Sequence, residues 1–480
     1  MNLEDIKQKI LEDPILLKLS SLAKEKDVPL FLVGGYIRDL FLVTPGPTHE
    51  PRGKDYDFSL PKESSPFIPS IEAVLHLSFF KVGKEERETI TYRVAHEDLS
   101  IDLTFLQGDR IDEDLLRRDF TINAIAFCLR DETFHQVEGA WEDMKRRVIR
   151  SVSKHSIDQD PLRMLRAIRY FCTLDGFVLD PMLKEEISQK RDLVRNLPGE
   201  RIKMELDHIL LSPEPALGLR SLYESSLLLT LFPDLKGLEH LGQSKHHHLH
   251  VLSHTLLIVE KLSWALEWVT SKGEAFPLAQ EDRLALSYAA LFHDLGKQDT
   301  YSKDDKEKVH FYHHESFSCQ RAQGVMEKLR FSNLLRNKIL HLIQNHMRIL
   351  NLSRETKEAA LKRLVYQVGD DTPLLVLLTL ADKEASRGIL SVQLDEVVEA
   401  HCLRILDWFK EKEVIHPPPL INGHDVMALG YPTGPSVGQI LGFIRGKQVE
   451  GEIKTREEAL RVLKEKFGKQ GDGTPVEEEG

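Results

Sequence analysis

The hydrophobic pattern of this chain changes period once, near residue 115, and that change limits the available folds more than any other feature. Before it, Asp55–Leu60 (DYDFSL) and Ser100–Leu106 (SIDLTFL) alternate polar and apolar residues, as half-buried strands do. Pro29–Val33 is a short apolar run closed by Gly34-Gly35, after which YIRDLFLV takes up helical spacing. A loop rich in Pro and Gly is expected at 44–54. From about residue 115 onward helical periodicity takes over, and no strand alternation is expected to return. Apolar helical segments occupy 160–235, 250–300, 315–350, 355–410 and 436–467, with breaks at 211–215, 273–277, 416–420 and 430–435. The expected fold is α+β: a small mixed β-sheet head followed by a long all-α body. At roughly 150 residues per domain, the 480 residues correspond to about three domains.

Several classes are disfavoured. The longest clean apolar stretch, Leu374–Leu378 extended to Ala381, is too short to cross a bilayer, and no membrane partner is expected. The opening MNLEDIKQKI is charged from its fourth residue and has no secretory apolar region. Cys128, Cys172, Cys319 and Cys402 lie far apart with no CxxC pair, which argues against a disulfide framework and a thiolate zinc site. The expected location is the cytosol. The 64 Lys and Arg against 76 Asp and Glu give a formal charge of −12, which taken alone argues against a nucleic-acid partner.

Three features of the head bear on chemistry. Gly34-Gly35 sits where a strand gives way to a helix; glycines admit close backbone approach to a phosphate, and a helix start offers free N–H donors. Arg38, one turn in, can add a charge-assisted contact. A Gly-Gly turn by itself is usually only a turn. Asp55 and Asp57, two apart on a strand, share a face, and their repulsion calls for a proton or an oxygen-liking ion such as Mg²⁺. Asp102 on the later strand is a third candidate ligand. Carboxylate-held metals would activate a hydroxyl and stabilise departing pyrophosphate. The bland alternative is a solvated strand face.

The third feature is a run of polar groups expected on helices. Arg117-Arg118-Asp119 opens TINAIAF, with Asn123 one turn on, and Asp160, Arg163, Arg166 and Arg169 then recur every three residues. Arginines there could grip phosphates, and an Asp with an Arg presents acceptor and donor to a base edge; a solvated face with ion pairs is the alternative. Residues 145–170 hold eight basic and two acidic side chains, a local +6, so a nucleic-acid face is available despite the net charge.

GGYIRD (34–39), DYD (55–57), RRDFTINAIA (117–126), DPLRMLRAIRY (160–170) and GERIKMEL (199–206) resemble, in order, the motifs of bacterial-type (class II) tRNA nucleotidyltransferases and the related bacterial poly(A) polymerases. The resemblance implies Asp55 and Asp57 as Mg²⁺ ligands and catalytic groups, with Asp102 as the third carboxylate. It implies nucleotide contacts from Gly34, Gly35, Arg38, Asp39, one or both of Arg117 and Arg118, Asp119, Asn123, Asp160, Arg163, Arg166 and Arg169. In that family an acidic–Asp–x–x–Arg motif reads the incoming base; Asp160 and Arg163 match it, with Gln159 in place of the usual Glu. Members that add all of CCA carry a flexible loop after the third carboxylate. Here only fourteen residues, LTFLQGDRIDEDLL, separate Asp102 from Arg117. Such a deletion marks enzymes that add CC and stop.

Twelve of the 21 histidines fall between 240 and 346. A lone histidine on an apolar helix is ordinarily a core residue, but His254, His293-Asp294, His314, His346 and Asp382 follow the order H…HD…H…H…D. Imidazole and carboxylate suit first-row divalent metals. The order resembles HD-domain phosphohydrolases, and implies a metal site of those six residues holding Mn, Ni, Co, Fe or Mg, with phosphomonoesterase or 2′,3′-cyclic phosphodiesterase activity. A degenerate, structural HD domain is the alternative. The HHHLH run at 246–250 is left unassigned. Residues 421–441 resemble the family's closing tRNA-contacting segment.

The organisation expected is a nucleotidyltransferase head (1–150), a helical neck (151–240), an HD domain (241–405), a C-terminal helical segment (406–468) and a disordered tail (469–480). The expected activity is template-independent addition of nucleotides to the tRNA 3′ end from CTP, with ATP a second candidate substrate. Full CCA addition, A addition and poly(A) polymerisation stand beside it within the class. From other classes come a metal-dependent HD phosphohydrolase with a nucleotide-binding head, and a non-catalytic RNA scaffold.

Overall fold

The computed structural model describes the whole chain except residues 1, 43–53, 84–89, 97–98, 243–249, 275, 387–391, 412–413, 415 and 469–480. Nearly all of the loop expected at 44–54, most of the histidine run at 246–250 and the tail lie outside the described residues. The chain divides into two compact units, Met1–Leu231 and Phe232–Gly480.

The first unit begins with two helices, Leu3–Glu12 and Pro14–Glu25, joined at Asp13. The Asp13 carboxylate accepts from the backbone N–H of Ile15 at 2.9 Å, and Pro14 occupies the first turn, where its missing N–H costs nothing. A seven-stranded sheet follows: β1 (Phe31–Val33), β2 (Lys54–Leu60), β3 (Phe80–Val82), β4 (Thr91–His96), β5 (Leu99–Phe105), β6 (Ile125–Cys128) and β7 (Thr133–Gln136), in spatial order β3-β4-β5-β2-β1-β6-β7. The β2–β5 pair is parallel and its neighbours are antiparallel. Along β2 the alternation works as the sequence predicts: Tyr56, Phe58 and Leu60 are buried, while Asp55 is exposed and Asp57 half-buried on the other face.

The expectation that strands end near residue 115 is corrected. β6 and β7 complete the sheet, and short pairs form at Val148–Ile149 with Val178–Leu179 and at Tyr301–Lys303 with Phe311–Val309. The physical reason is clear in β6. Its four residues are all buried, so the strand reads as a continuous apolar run with no alternation to reveal it. The helix expected at RRDFTINAIA is likewise a single 3₁₀ turn, Thr121–Asn123, feeding β6. Asp160 is extended and precedes the helix Arg163–Thr173 rather than riding on it. The remaining helices of this unit include Pro181–Lys190, Gly199–Leu210 and Pro215–Glu224, with 199–210 packed along 163–173.

The second unit is helical apart from its one hairpin, among the described residues. Its central helix, Thr372–Ala385, is buried at nearly every position from Thr372 to Lys383 and packs on Val251–Ser271. The stretch Glu358–Ala385 is the one described helical run long and apolar enough by composition to cross a membrane, but 72% of its most apolar window is buried inside the protein, as in a core helix. A smaller core of Ile421, Val426, Ile440, Ile444, Ile453, Ala459 and Leu463 closes the C-terminal end.

Candidate functional site

The head site grows from the sheet register. Val33 at the end of β1 lies opposite Asp57, and Asp57 lies opposite Asp102 across the parallel β2–β5 pair. Gly34 then turns with φ +77°, and a Cβ there would stand 3.4 Å from both Asp57 Oδ2 and Arg118 Nη1. The positive φ calls for glycine. Gly35 opens the helix Gly35–Leu42. Burial, reinforced by Asp55 and Asp102 and only partly relieved by Arg118 and Arg93, pushes the Asp57 carboxyl up to about 6.

A chain of polar contacts frames one side of this centre. Arg38 Nη1 donates to Asn123 Oδ1 at 2.9 Å, and Asn123 Nδ2 donates to Asp119 Oδ1 at 3.0 Å. The other Asp119 oxygen pairs with Arg166 at 2.8 Å. Tyr170 sits among Arg38, Arg166 and Arg169; burial alone would raise its phenol, but the three guanidiniums hold it below its ordinary value. Asp160 accepts from Leu162 N–H at 3.2 Å and from Arg201 at 2.8 Å. Arg163 donates to the Ser156 carbonyl at 3.1 Å, to its hydroxyl at 2.7 Å and to the Arg117 carbonyl at 2.5 Å.

Gly34, Gly35, Asp57, Arg118, Asp119, Asn123, Asp160, Arg163, Arg166 and Tyr170 line one cleft of about 230 Å³. Of the pair the sequence left open, Arg118 faces this cleft while the Arg117 side chain is exposed outside its lining. Asp39 points to solvent and pairs with Arg38 at 2.7 Å. Arg169 turns to the buried Glu205 at 3.1 Å and is absent from the lining. Asp55 and Asp102 flank Asp57 on the strands. Two residues escaped the sequence reading. Tyr170 was visible only as the aromatic end of an arginine-rich helix, and Arg93, which holds Asp102, belongs to no motif.

The second site lies in the helical unit, where His254, His293, Asp294, His314, His346 and Asp382 are all buried within one cluster. His293, His314 and His346 each present Nδ1 to the carbonyl three residues back, Ala290, Phe311 and Ile343, at 2.9, 2.9 and 2.7 Å. Those bonds place an N–H on Nδ1, so that in the neutral ring Nε2 carries the lone pair. The Nε2 atoms of His314 and His346 then face each other at 3.1 Å. Two lone pairs in that position repel unless a cation stands between them. Both Asp294 oxygens and the His293 Nε2 are buried without a hydrogen bond. His254 Nε2 lies 3.0 Å from Asp382.

Two triads, His254–His293–Asp294 and Asp294–His314–His346, bring their ligand atoms within 4.8 Å and share Asp294, so the donor set fits one or two divalent ions. Burial, then the neighbouring imidazoles, push His346 down to about 3, keeping it neutral as a ligand must be. Burial would raise Asp294, but His293 and Lys297 hold it well below the usual carboxylate range. Lys297, whose Nζ lies 2.7 Å from Asp294, is the residue the sequence reading missed here; its signal was the one-turn spacing in HDLGK.

Residues 30–150 match the family described as Poly A polymerase head domain, 176–238 the "Probable RNA and SrmB- binding site of polymerase A", and 245–386 the HD domain. The chain is 33% identical over 442 residues to the CC-adding tRNA nucleotidyltransferase of Thermus thermophilus, covering 90% of this chain and 92% of the relative. It is 30% identical over 451 residues to the A-adding tRNA nucleotidyltransferase of Deinococcus radiodurans, covering 92% and 96%. Among solved structures, it shares its fold with a CCA-adding enzyme in an apo form, at TM-score 0.65, 21% identity and coverage of 98% and 99%. The Thermotoga maritima CCA-adding enzyme complexed with tRNA gives TM-score 0.59 at 21% identity, with 96% and 98% covered.

Proposed function

The chain belongs to the tRNA nucleotidyltransferases, and from that premise we propose that its head adds nucleotides, without a nucleic-acid template, to the 3′ end of tRNA. The observation that carries this reading is the row of Asp55, Asp57 and Asp102 on neighbouring strand positions, whose central member, Asp57, lies against Gly34 and Arg118 in the cleft lining. The crowded carboxylates fit a divalent oxygen-liking ion, and Mg²⁺ is the ion proposed. When bound, such an ion supplies charge neutralisation at the triphosphate and lowers the pKa of the attacking hydroxyl.

The chain's own groups do the rest. Gly34 and Gly35 let the backbone approach the phosphates, and Arg118 meets their charge from across the turn. Arg38 and Asn123 are held ready at the sugar side by their mutual hydrogen bond. Asp160 and Arg163, both anchored by other groups, offer an acceptor and a donor at fixed positions to the base edge. Arg166 and Tyr170 complete that wall. The reacting parts are thereby oriented before chemistry begins.

We assign residues 1–150 to the head, 151–240 to a base- and RNA-binding neck, 241–405 to the HD domain and 406–468 to a tRNA-contacting segment, working in the cytosol. Within the class we favour CC addition. The fourteen residues between Asp102 and Arg117 are consumed by the end of β5, a turn and the helix Ile111–Leu116, which supports the absence of an additional loop there. Incubated with tRNA lacking its 3′ end, the protein should add two nucleotides from CTP and stop when ATP is also present. A third nucleotide would reject CC-only addition, a long A tail would favour poly(A) polymerase, and no extension would sink the transferase reading.

The acidity of Asp57 gives a second expectation. Its carboxyl is pushed up to about 6, so below that pH a proton competes with the cation. Half-saturating Mg²⁺ for nucleotide addition should therefore rise roughly tenfold per pH unit below that value and level off above it. A flat Mg²⁺ requirement from pH 5 to 7 would remove Asp57 from the cation site.

A second activity is favoured by the facing Nε2 atoms of His314 and His346. We propose a phosphohydrolase at the histidine cluster, using Mn, Ni, Co, Fe or Mg, with a phosphomonoester or cyclic phosphate as substrate.

A further inference from the structure

Arg93, outside every motif, touches the carboxylate row. β4 runs antiparallel to β5 and puts Arg93 opposite Asp102, while β2 puts Asp57 opposite Asp102 from the other side. Paired positions share a face, so Arg93, Asp102 and Asp57 form a line across three strands, with Asp55 two residues from Asp57. Arg93 grips Asp102 with a two-pronged fork: Nε reaches Oδ1 at 2.7 Å and Nη2 reaches Oδ2 at 2.5 Å. Both oxygens that Asp102 could offer to an ion are thus engaged by one guanidinium. The Arg93 side chain is 43% exposed and that of Asp102 17%, so water reaches the pair and it can open.

We propose that Arg93 is a positioning residue that competes with the divalent cation for Asp102. It holds the third carboxylate beside Asp57 when no ion is bound, and it must be displaced before Asp102 can chelate an ion through both of its oxygens. This rests on the reading of Asp55, Asp57 and Asp102 as a cation site. The electrostatics favour such an exchange. Three carboxylates on one face repel one another, and a single positive charge relieves part of that repulsion in a fixed geometry. An ion of charge two at the same distance relieves about twice as much. A guanidinium is also the one side chain whose charge stays in place at every working pH. The cation concentration at which the head becomes competent is therefore set by Arg93 as well as by the carboxylates.

Replacing Arg93 with Met removes both the competitor and a positive charge near the site, and the two effects have the same sign. Arg93→Met should bind the head ion roughly fivefold more tightly, the equivalent of one partly exposed ion pair. Arg93→Lys keeps the charge without the fork and should fall between Arg93→Met and the unsubstituted chain. The measurement is Mn²⁺ binding by electron paramagnetic resonance on the full chain, with thermal unfolding confirming that each variant is folded. The head ions are the class lost in Asp57→Asn; ions at the histidine cluster are common to all variants and drop out of the comparison. Half-saturating Mg²⁺ for nucleotide addition should fall by the same factor in Arg93→Met. Should Arg93→Met fail to fold, Arg93→Lys carries the test. Unchanged or weaker head binding in the folded variant overturns the competition while leaving the cation site standing. No loss of bound Mn²⁺ in Asp57→Asn overturns the cation site itself.

Discussion

Asp57→Asn is expected to slow nucleotide addition by at least about a thousandfold, since losing several kcal/mol of transition-state stabilisation costs a decade per 1.4 kcal/mol. Asparagine keeps the size and one acceptor of aspartate but removes the charge at the centre of the carboxylate row, facing Arg118 across Gly34. The same change should leave hydrolysis at the histidine cluster unaltered. It should also not destabilise the fold. A carboxyl whose folded pKa is raised to about 6 binds its proton more tightly folded than unfolded, so its contribution is favourable at low pH and is lost as pH rises through that value. At neutral pH the ionised Asp57 costs stability, and Asn relieves that cost. Initial rates of CTP incorporation, read beside the melting temperature, separate the two effects. A variant that is slow and also melts earlier would mean that Asp57 holds the sheet together; one that keeps a tenth of the rate would remove it from the chemistry.

How much of this site could be read from sequence depends on whether a residue's role is local. Asp55 and Asp57 were legible because strand alternation alone puts both on one face, and DYDFSL alternates cleanly. Gly34 was legible because a turn into a helix is a short-range event. Arg93 was not, because its role depends on a register between β4 and β5 that no local pattern fixes. The same limit hid β6: a strand buried on both faces loses its alternation, and TINAIAF then looks like the start of a helix. Arg169 shows the opposite failure. Its regular spacing from Arg163 and Arg166 suggested one binding face, yet each step of three rotates the side chain by about 60°, so that six residues after Arg163 it meets Glu205 on the neighbouring helix instead.

In the body the composition carried more than the pattern. Six buried ligand-type residues scattered over 129 positions could be tied together only by their order along the chain, and the fold brings them into one cluster: His254, His314 and Asp382 from helices, His293, Asp294 and His346 from the turns just past helix ends. What no sequence could give is the orientation. Three backbone carbonyls, at Ala290, Phe311 and Ile343, each fix an imidazole so that its free nitrogen points inward.

That orientation makes Asp294→Asn the second change with a large expected effect. Asp294 belongs to both candidate ligand triads, and Lys297 approaches its Oδ2 at 2.7 Å. Removing its charge weakens both halves of the site at once, whereas loss of His254 or His346 touches only one. Hydrolysis of a cyclic phosphate should fall about a thousandfold or more, and the metal bound by the purified protein should fall with it. Nucleotide addition should stay at its original rate, because the carboxylates and arginines of the head are untouched. The stability effect has two parts of opposite sign. Asn takes this counter-charge away from the buried Lys297, which is costly, but it also ends the burial of an ionised carboxylate. With the head ion removed by Asp57→Asn in both chains, metal supplied in excess should raise the melting temperature of the chain that keeps Asp294 and leave that of Asp294→Asn nearly unmoved. Equal stabilisation of both would place the ion elsewhere, and loss of nucleotide addition in the single Asp294→Asn variant would mean that the two activities share one site.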